Sequence, residues 1–137
     1  MTAYLLDTNI ISDLIRNPQG AVFSRIKAIG EDYIVTNVIV AAELRYGAEK
    51  KGSPALIERI EALLSRFKVL SLEPGVDEAY GRIRTNLERH GTPIGGNDLL
   101  IAAHVQHLSE KSNWTLVTAN LREFERVDGL MVENWLS

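Results

Sequence analysis

Short apolar runs alternate with longer helical patterns along the chain. Continuous apolar runs of three to five residues are typical of strands covered on both faces, as in a parallel sheet. They occur here as AYLL at 3–6, YIV at 33–35, KVLSL at 68–72 and TLVT at 115–118. The segments between them carry apolar residues at helical spacing, which predicts helices at 10–16, 38–50, 54–67, 76–89 and 98–111.

Strands that alternate with helices predict a three-layer α/β/α sandwich around a short, mainly parallel sheet. The helix at 54–67 is the clearest, because Ser53 is suited to cap it and Pro54 to begin it. Short Gly, Pro and Ser clusters separate the elements, without a repeat or a linker-like stretch, so we expect one domain over residues 1–137. In such folds ligands bind beyond the carboxyl ends of the strands.

Composition narrows the chemistry. With 45% hydrophobic and 24% charged residues, the chain has the balance of a soluble globular protein. It has no cysteine, which excludes disulfides, thiolate metal sites and cysteine nucleophiles. The chain reaches Asp7 before any apolar run long enough for a signal peptide, so we expect a cytoplasmic protein. The net charge of −3 argues against sequence-blind binding of nucleic acid but leaves room for a local basic patch.

Acidic residues stand out against the apolar pattern. Asp7 directly follows the first strand, where helix capping would also explain it. Glu43 is predicted on the apolar stripe of its helix, so a salt bridge to Arg45 or another arginine is one explanation. Asp98 shares a stripe with Ile101 at the start of an apolar helix, where it would also suit a cap or the helix dipole.

These acids are all predicted at the same rim of the sheet. Carboxylates gathered in one pocket repel each other unless a cation holds them ionised, and oxygen-only ligands favour Mg²⁺ or Mn²⁺ over zinc. His90, His104 and His107 lack an acidic partner at a metal-binding offset and are assigned to the surface or to packing. Thr118 and Asn120 follow the fourth strand and would reach the rim to hold a water or a phosphate oxygen; turn and capping chemistry is the alternative.

Four ordered segments resemble the PIN-domain ribonuclease toxins of bacterial toxin–antitoxin pairs, the VapC family. The motif DTN at 7–9 alone would be weak evidence, whereas these segments keep their order and spacing over nearly the whole chain. They are YLLDTNIISDLIR, NVIVAAELRYGAEK, GTPIGGNDLLIAAHV and LVTANLREFERVDGLMVENW.

The resemblance implies a PIN-like sandwich, Mg²⁺- or Mn²⁺-dependent endoribonuclease activity, a homodimer and a small VapB-type antitoxin that joins it in a larger complex. It implies that Asp7 and Asp98 hold the metal, with Glu43 as a further ligand or as acceptor of a proton from the attacking water. Thr118 and Asn120 complete the catalytic candidates. Relatives in enteric bacteria act on the anticodon loop of initiator tRNA, so tRNA is the implied substrate, cut to leave a 5′-phosphate.

The sequence departs from the family pattern at three places. Asn120 stands where aspartate is frequent, Gly96 where proline is common and Ala119 where asparagine is common. Asn120 therefore keeps open a second reading, a module that has lost catalysis but binds an antitoxin and acts in transcriptional control. Mg²⁺-dependent cleavage of tRNA distinguishes the two.

A phosphotransfer enzyme with an aspartyl nucleophile is a further alternative. A dehalogenase-type site needs a second aspartate two residues after the first, where this chain has Asn9. The segments KVLSL and LVTAN supply neither the aspartate nor the lysine that a receiver domain needs. Candidate phosphate contacts for an RNA substrate are Arg16, Lys50, Lys51, Arg82, Arg84 and Arg122.

Overall fold

A five-stranded parallel sheet forms the centre of the computed structural model, which describes residues 1–136. Its strands are β1 (Thr2–Leu6), β2 (Ile34–Asn37), β3 (Lys68–Leu70), β4 (Asn113–Val117) and β5 (Val132–Glu133). Their order in the sheet is β3-β2-β1-β4-β5, and all four pairings are parallel. The predicted α/β class with a parallel sheet is confirmed.

Helices pack around this sheet. They are α1 (Thr8–Arg16), α2 (Ala21–Ile29), α3 (Val38–Lys51), α4 (Pro54–Arg66), α5 (Val76–Arg89), α6 (Gly96–Leu108) and α7 (Leu121–Phe124). The predicted cap of α4 is confirmed, because the Ser53 hydroxyl accepts the Leu56 N–H at 3.2 Å and Pro54 begins the helix. No helix within residues 1–136 is long and apolar enough to cross a membrane.

Three elements were not predicted. α2 buries only Val22 and Ile26 along its length, so its apolar periodicity is weak. α7 has four residues and β5 has two, and neither is long enough to show a period. A turn of 3₁₀ helix at Glu31–Tyr33 also precedes β2. The strand therefore begins at Ile34, one residue later than predicted.

One part of the core lies between β1, β4 and α6. Leu5, Leu116 and Ile101 are fully buried there, which confirms that α6 is a central helix. Because the strands are parallel, the chain leaves β1, β2 and β4 at one common edge. Asp7, Asn37 and Thr118 lie at this edge.

Candidate active site

Asp7 lies at the junction of β1 and α1 and is 4% exposed. One carboxylate oxygen accepts the Thr8 N–H at 2.8 Å, so Asp7 caps α1 as the alternative reading held. The other oxygen accepts the Thr118 hydroxyl at 2.8 Å. Burial raises the pKa of Asp7 above its ordinary value, and these two hydrogen bonds oppose the rise. Asp7 therefore both caps a helix and belongs to a polar cluster.

Glu43 reaches the same cluster from α3. One of its carboxylate oxygens accepts the Thr8 hydroxyl at 2.7 Å. The proposed salt bridge to Arg45 is wrong, because Arg45 pairs with Glu61 at 2.8 Å. The apolar stripe assigned to Glu43 was also wrong in part, since Glu43 is only half-buried and Tyr46 is 65% exposed. Glu43 stands at the rim of the core, where solvent and a ligand have access.

Asp98 lies in the first turn of α6. The helix begins at Gly96 with Gly95 as its cap, so Asp98 is not the capping residue. The pKa of Asp98 is raised to about 7, first by burial, then by its hydrogen bond with Glu123 and by the charges of Asp7, Glu123 and Glu43. The acids at 7, 43 and 98 are thus close enough to repel one another electrostatically.

Glu123 is the fourth acid of this cluster, and the sequence interpretation missed it. It lies on α7, where one carboxylate oxygen accepts the Gly95 N–H at 2.9 Å and the other accepts the Asn120 amide at 2.7 Å. Burial raises the pKa of Glu123. The hydrogen bonds from these two donors and from Asp98, with the charge of Arg126, outweigh burial and hold this pKa below its ordinary value. The pKa of Asp98 is thus raised while that of Glu123 is lowered, so Glu123 is the more readily ionised carboxyl of the two.

Thr118 and Asn120 support the carboxylates. The fully buried Thr118 hydroxyl donates to Asp7 and accepts the Asn120 N–H at 3.0 Å. The Asn120 side chain does not cap α7 but donates to Glu123. Both groups are thus engaged with acids of the cluster, whereas the sequence reading had them reaching directly for a water or a phosphate oxygen.

The histidines take positions in packing or on the surface, as predicted. His104 is fully buried and its Nδ1 lies 3.0 Å from the Asn37 amide nitrogen. His107 packs against Gly75 so closely that a Cβ there would collide with the imidazole, and His90 is exposed. None of them joins the acidic cluster.

The cluster fits a hydrated divalent cation by its chemistry. Across residues 1–136, no three His, Asp or Glu side chains are arranged to hold one metal ion between them. Mg²⁺, however, is usually held by one or two carboxylates, with waters and substrate phosphates completing its shell. The neighbouring acids help to raise the pKa of Asp98, and this is the repulsion that a bound cation would relieve.

Replacing Asp98 with Asn should stabilise the metal-free protein at pH 8. The folded-state pKa of about 7 exceeds the ordinary 3.8, so the contribution of Asp98 to stability is lost as pH rises through 7. In EDTA, we expect D98N to melt at a higher temperature than the natural protein at pH 8 and the difference to shrink at pH 5.

Asp77 offers a matched control in the first turn of α5. Its carboxylate accepts the Gly75 N–H at 2.9 Å, and this bond lowers its pKa. Stability from Asp77 is therefore present at pH 8 and lost on acidification, so D77N should not raise the melting temperature. A lower melting temperature for D98N than for the natural protein at pH 8 in EDTA would contradict the repulsion argument.

A cleft of about 280 Å³ extends from the cluster between α1, α3 and α4. Thr8 and Glu43 line one part of it, and Arg16 and Lys51 place positive charge on its walls. Two of the other predicted phosphate contacts, Arg82 and Arg84, lie near Glu110 and Glu88, at 3.8 and 3.1 Å. The cationic side chains that line this cleft are thus Arg16 of α1, which also lies 3.9 Å from Asp13, and Lys51 of α3.

Comparison with known proteins agrees with this fold. The model of the PIN domain family matches residues 4–130. Ribonuclease VapC2 of Haemophilus influenzae is 40% identical over 137 residues, covering 99% of this chain and 100% of that protein. The tRNA(fMet)-specific endonuclease VapC of Shigella flexneri is 36% identical, covering 98% and 99%. The crystal structure of VapBC2 from Rickettsia felis bound to a promoter DNA fragment aligns with a TM-score of 0.87 at 36% identity, covering 98% and 99%.

The fold is a parallel five-stranded sheet with an acidic cluster at its carboxyl edge, and the family model matches most of the chain. This chain therefore belongs to the PIN-domain family. Within that family it is of the VapC type, as the resemblance of the four segments predicted.

Proposed function

We propose that this chain is an endoribonuclease toxin of a type II toxin–antitoxin pair, and that it hydrolyses a phosphodiester of RNA with the help of Mg²⁺ or Mn²⁺. The observation that carries the proposal is the meeting of Asp7, Glu43, Asp98 and Glu123 at one edge of the sheet. The printed names of the relatives, ribonuclease and endonuclease, support the reaction class.

The chain's own residues divide the work. Asp7 and Asp98 would hold the cation, and Thr118 fixes the orientation of Asp7 through its hydrogen bond. Glu43 is a further ligand or accepts the proton of the attacking water, with Thr8 fixing one of its oxygens. When bound, the ion would neutralise charge on the phosphate and activate water for in-line displacement.

A catalytically silent module is the weaker reading. Asn120 was the feature that favoured it, because a neutral side chain stands at the fourth acidic position of the family. Its amide donates to Glu123, which brings a carboxylate into the cluster from three residues further along the chain. The cluster therefore has four acids, so the neutral side chain of Asn120 does not leave it short of a negative charge.

The substrate that we propose is tRNA, with the anticodon loop of initiator tRNA as the specific candidate. The Shigella flexneri relative is called a tRNA(fMet)-specific endonuclease, which supports this class of substrate. The cleft next to Glu43 supplies Arg16 and Lys51 for the phosphates on either side of the cut. The net charge of −3 shows that such contacts must be local.

Charge reversal in this cleft should weaken RNA binding. We expect R16E and K51E to raise the KM for tRNA and leave kcat almost unchanged, because these side chains contact phosphates away from the reacting bond. Each variant should also reduce the salt dependence of binding by roughly 0.7 in log K against log salt for single-stranded RNA. R84E, whose natural side chain is engaged with Glu88 and Tyr80, serves as the control. Equal KM values for R16E, K51E and R84E would contradict this placement of the RNA.

The partner that we propose is a VapB-type antitoxin bound to a homodimer of this chain. The Rickettsia felis and Salmonella typhimurium structures are VapBC complexes on DNA, and they support an antitoxin partner. An apolar cavity of about 420 Å³ between α1, α2 and α4 offers a docking surface for it. Leu14, Ile26 and Leu63 line this cavity, and Phe23 beside them is 37% exposed.

Cleavage of total tRNA by the purified chain tests the proposed function. We expect cuts in Mg²⁺ or Mn²⁺, none in EDTA, and products with 5′-phosphate and 3′-hydroxyl ends. Intact RNA under all of these conditions would favour the binding module. Cyclic-phosphate ends that form in EDTA would exclude the proposed use of a metal ion.

A further inference from the structure

The loop between α5 and α6 delivers Asp98 to the cluster. Its first half is tied to α5 by the Thr92 N–H, which donates to the Leu87 carbonyl at 2.9 Å. The loop contains Gly91, with φ of +67°, and ends in Gly95 and Gly96. Glycines leave a backbone freedom that other residues would restrict. Pro93 and Ile94 border a pocket of about 180 Å³, so this segment packs against the core through Ile94 but is open on one side.

Two side chains that follow β4 hold this loop. The Gly95 N–H donates to Glu123 at 2.9 Å, and the Arg126 guanidinium donates to the Pro93 carbonyl at 3.0 Å. Within the described part of the chain, the 93–95 segment makes these two hydrogen bonds, besides the backbone bond that begins α6. The position of the loop therefore depends on Glu123 and Arg126 together.

The short helix α7 is itself well anchored. Phe124 is fully buried, so the residues on either side of it are fixed relative to the core. The Arg126 N–H donates to the Glu123 carbonyl at 3.2 Å, which links the two residues through the backbone. Arg126 also lies close enough to Glu123 for its positive charge to favour the ionised carboxylate. Arg126 itself is exposed, and its aliphatic stem is not part of the core.

We propose that Arg126 is a positioning residue of the carboxylate cluster: it clamps the 93–95 loop to α7, so that Asp98 and Glu123 are held together for binding a divalent cation. The inference rests on the proposed function only in requiring that the cluster binds such a cation. Arg126 touches neither the substrate nor the reacting atoms in this account.

Mn²⁺ affinity of the purified chain without RNA, measured by calorimetry or electron paramagnetic resonance, tests the clamp. We expect R126A to weaken Mn²⁺ binding roughly tenfold, as is common when a residue that orients a metal ligand is lost. R126K keeps the charge and one donor and should recover part of the loss, whereas R126Q should behave as R126A does. R122A is the matched control, because Arg122 is an exposed cation on α7, four residues before Arg126, and has no hydrogen bond or ion pair within residues 1–136.

A merely structural role for Arg126 would lower the melting temperature without changing the Mn²⁺ dissociation constant. Equal dissociation constants for R126A, R126Q and the natural protein would overturn the inference, as would a natural protein that binds no Mn²⁺. If R126A does not fold, the comparison of R126Q with R126K decides. RNA left intact by a chain whose Mn²⁺ affinity depends on Arg126 would contradict the proposed function and support the clamp.

Discussion

Asp7→Asn should abolish RNA cleavage while the protein still folds. Asn keeps an oxygen to accept the Thr8 N–H, and the Thr118 hydroxyl can turn to accept from the new amide, so the local hydrogen bonds survive. The negative charge that would hold a divalent cation is lost. We expect kcat/KM for tRNA to fall by on the order of 10³-fold or more, since charge stabilisation at the reacting phosphate depends on it.

Asp32→Asn is the control for this substitution. Asp32 is exposed before β2, at the edge of the sheet opposite the cluster, and the change removes the same charge from the chain. Its activity should equal that of the natural protein. An Asp7→Asn variant with an unchanged melting temperature and full activity would show that Asp7 has no catalytic role.

Trp135→Ala should produce the largest loss of stability. Trp135 is fully buried beyond β5, packs against Tyr4 with ring centroids 5.2 Å apart, and donates its indole N–H to Glu133 at 2.9 Å. Removing it leaves a cavity next to β1, and we expect the free energy of unfolding to fall by about 3–5 kcal/mol. Urea denaturation followed by circular dichroism measures this change, because it does not depend on tryptophan fluorescence.

Trp114→Ala is the comparison. Trp114 is only half-buried, and its indole donates to Ser112 at the surface, so the loss should be clearly smaller. Trp135→Phe should recover part of the stability by filling most of the cavity. A loss below about 1 kcal/mol for Trp135→Ala would mean that the C-terminal segment is not a structural part of the core.

The sequence predicted the acids that interrupt an apolar pattern. Asp7 ends a strand and Asp98 begins a buried helix, so each stood out locally and could be placed at the carboxyl edge of the sheet. Glu43 was found for the same reason, although its partner is the Thr8 hydroxyl and not an arginine. The parallel sheet then brings the three acids together at its carboxyl edge.

Glu123 could not be found in this way. It lies among charged neighbours in the segment LREFER, which has the composition of a solvated surface, on a helix of a single turn. Only the fold places this turn beside the start of α6, where Gly95 and Asp98 contact it. The bond between Asn37 and His104 likewise joins residues 67 apart, which periodicity does not reveal.

Anomalous diffraction from crystals grown with Mn²⁺ tests the central claim most directly. We expect a peak at the carboxyl edge of the sheet, next to the carboxylates of Asp7 and Asp98, with waters completing the shell of the ion. We also expect that the peak is lost in Asp7→Asn crystals. Density for Mn²⁺ only at other places would contradict a divalent cation at this site.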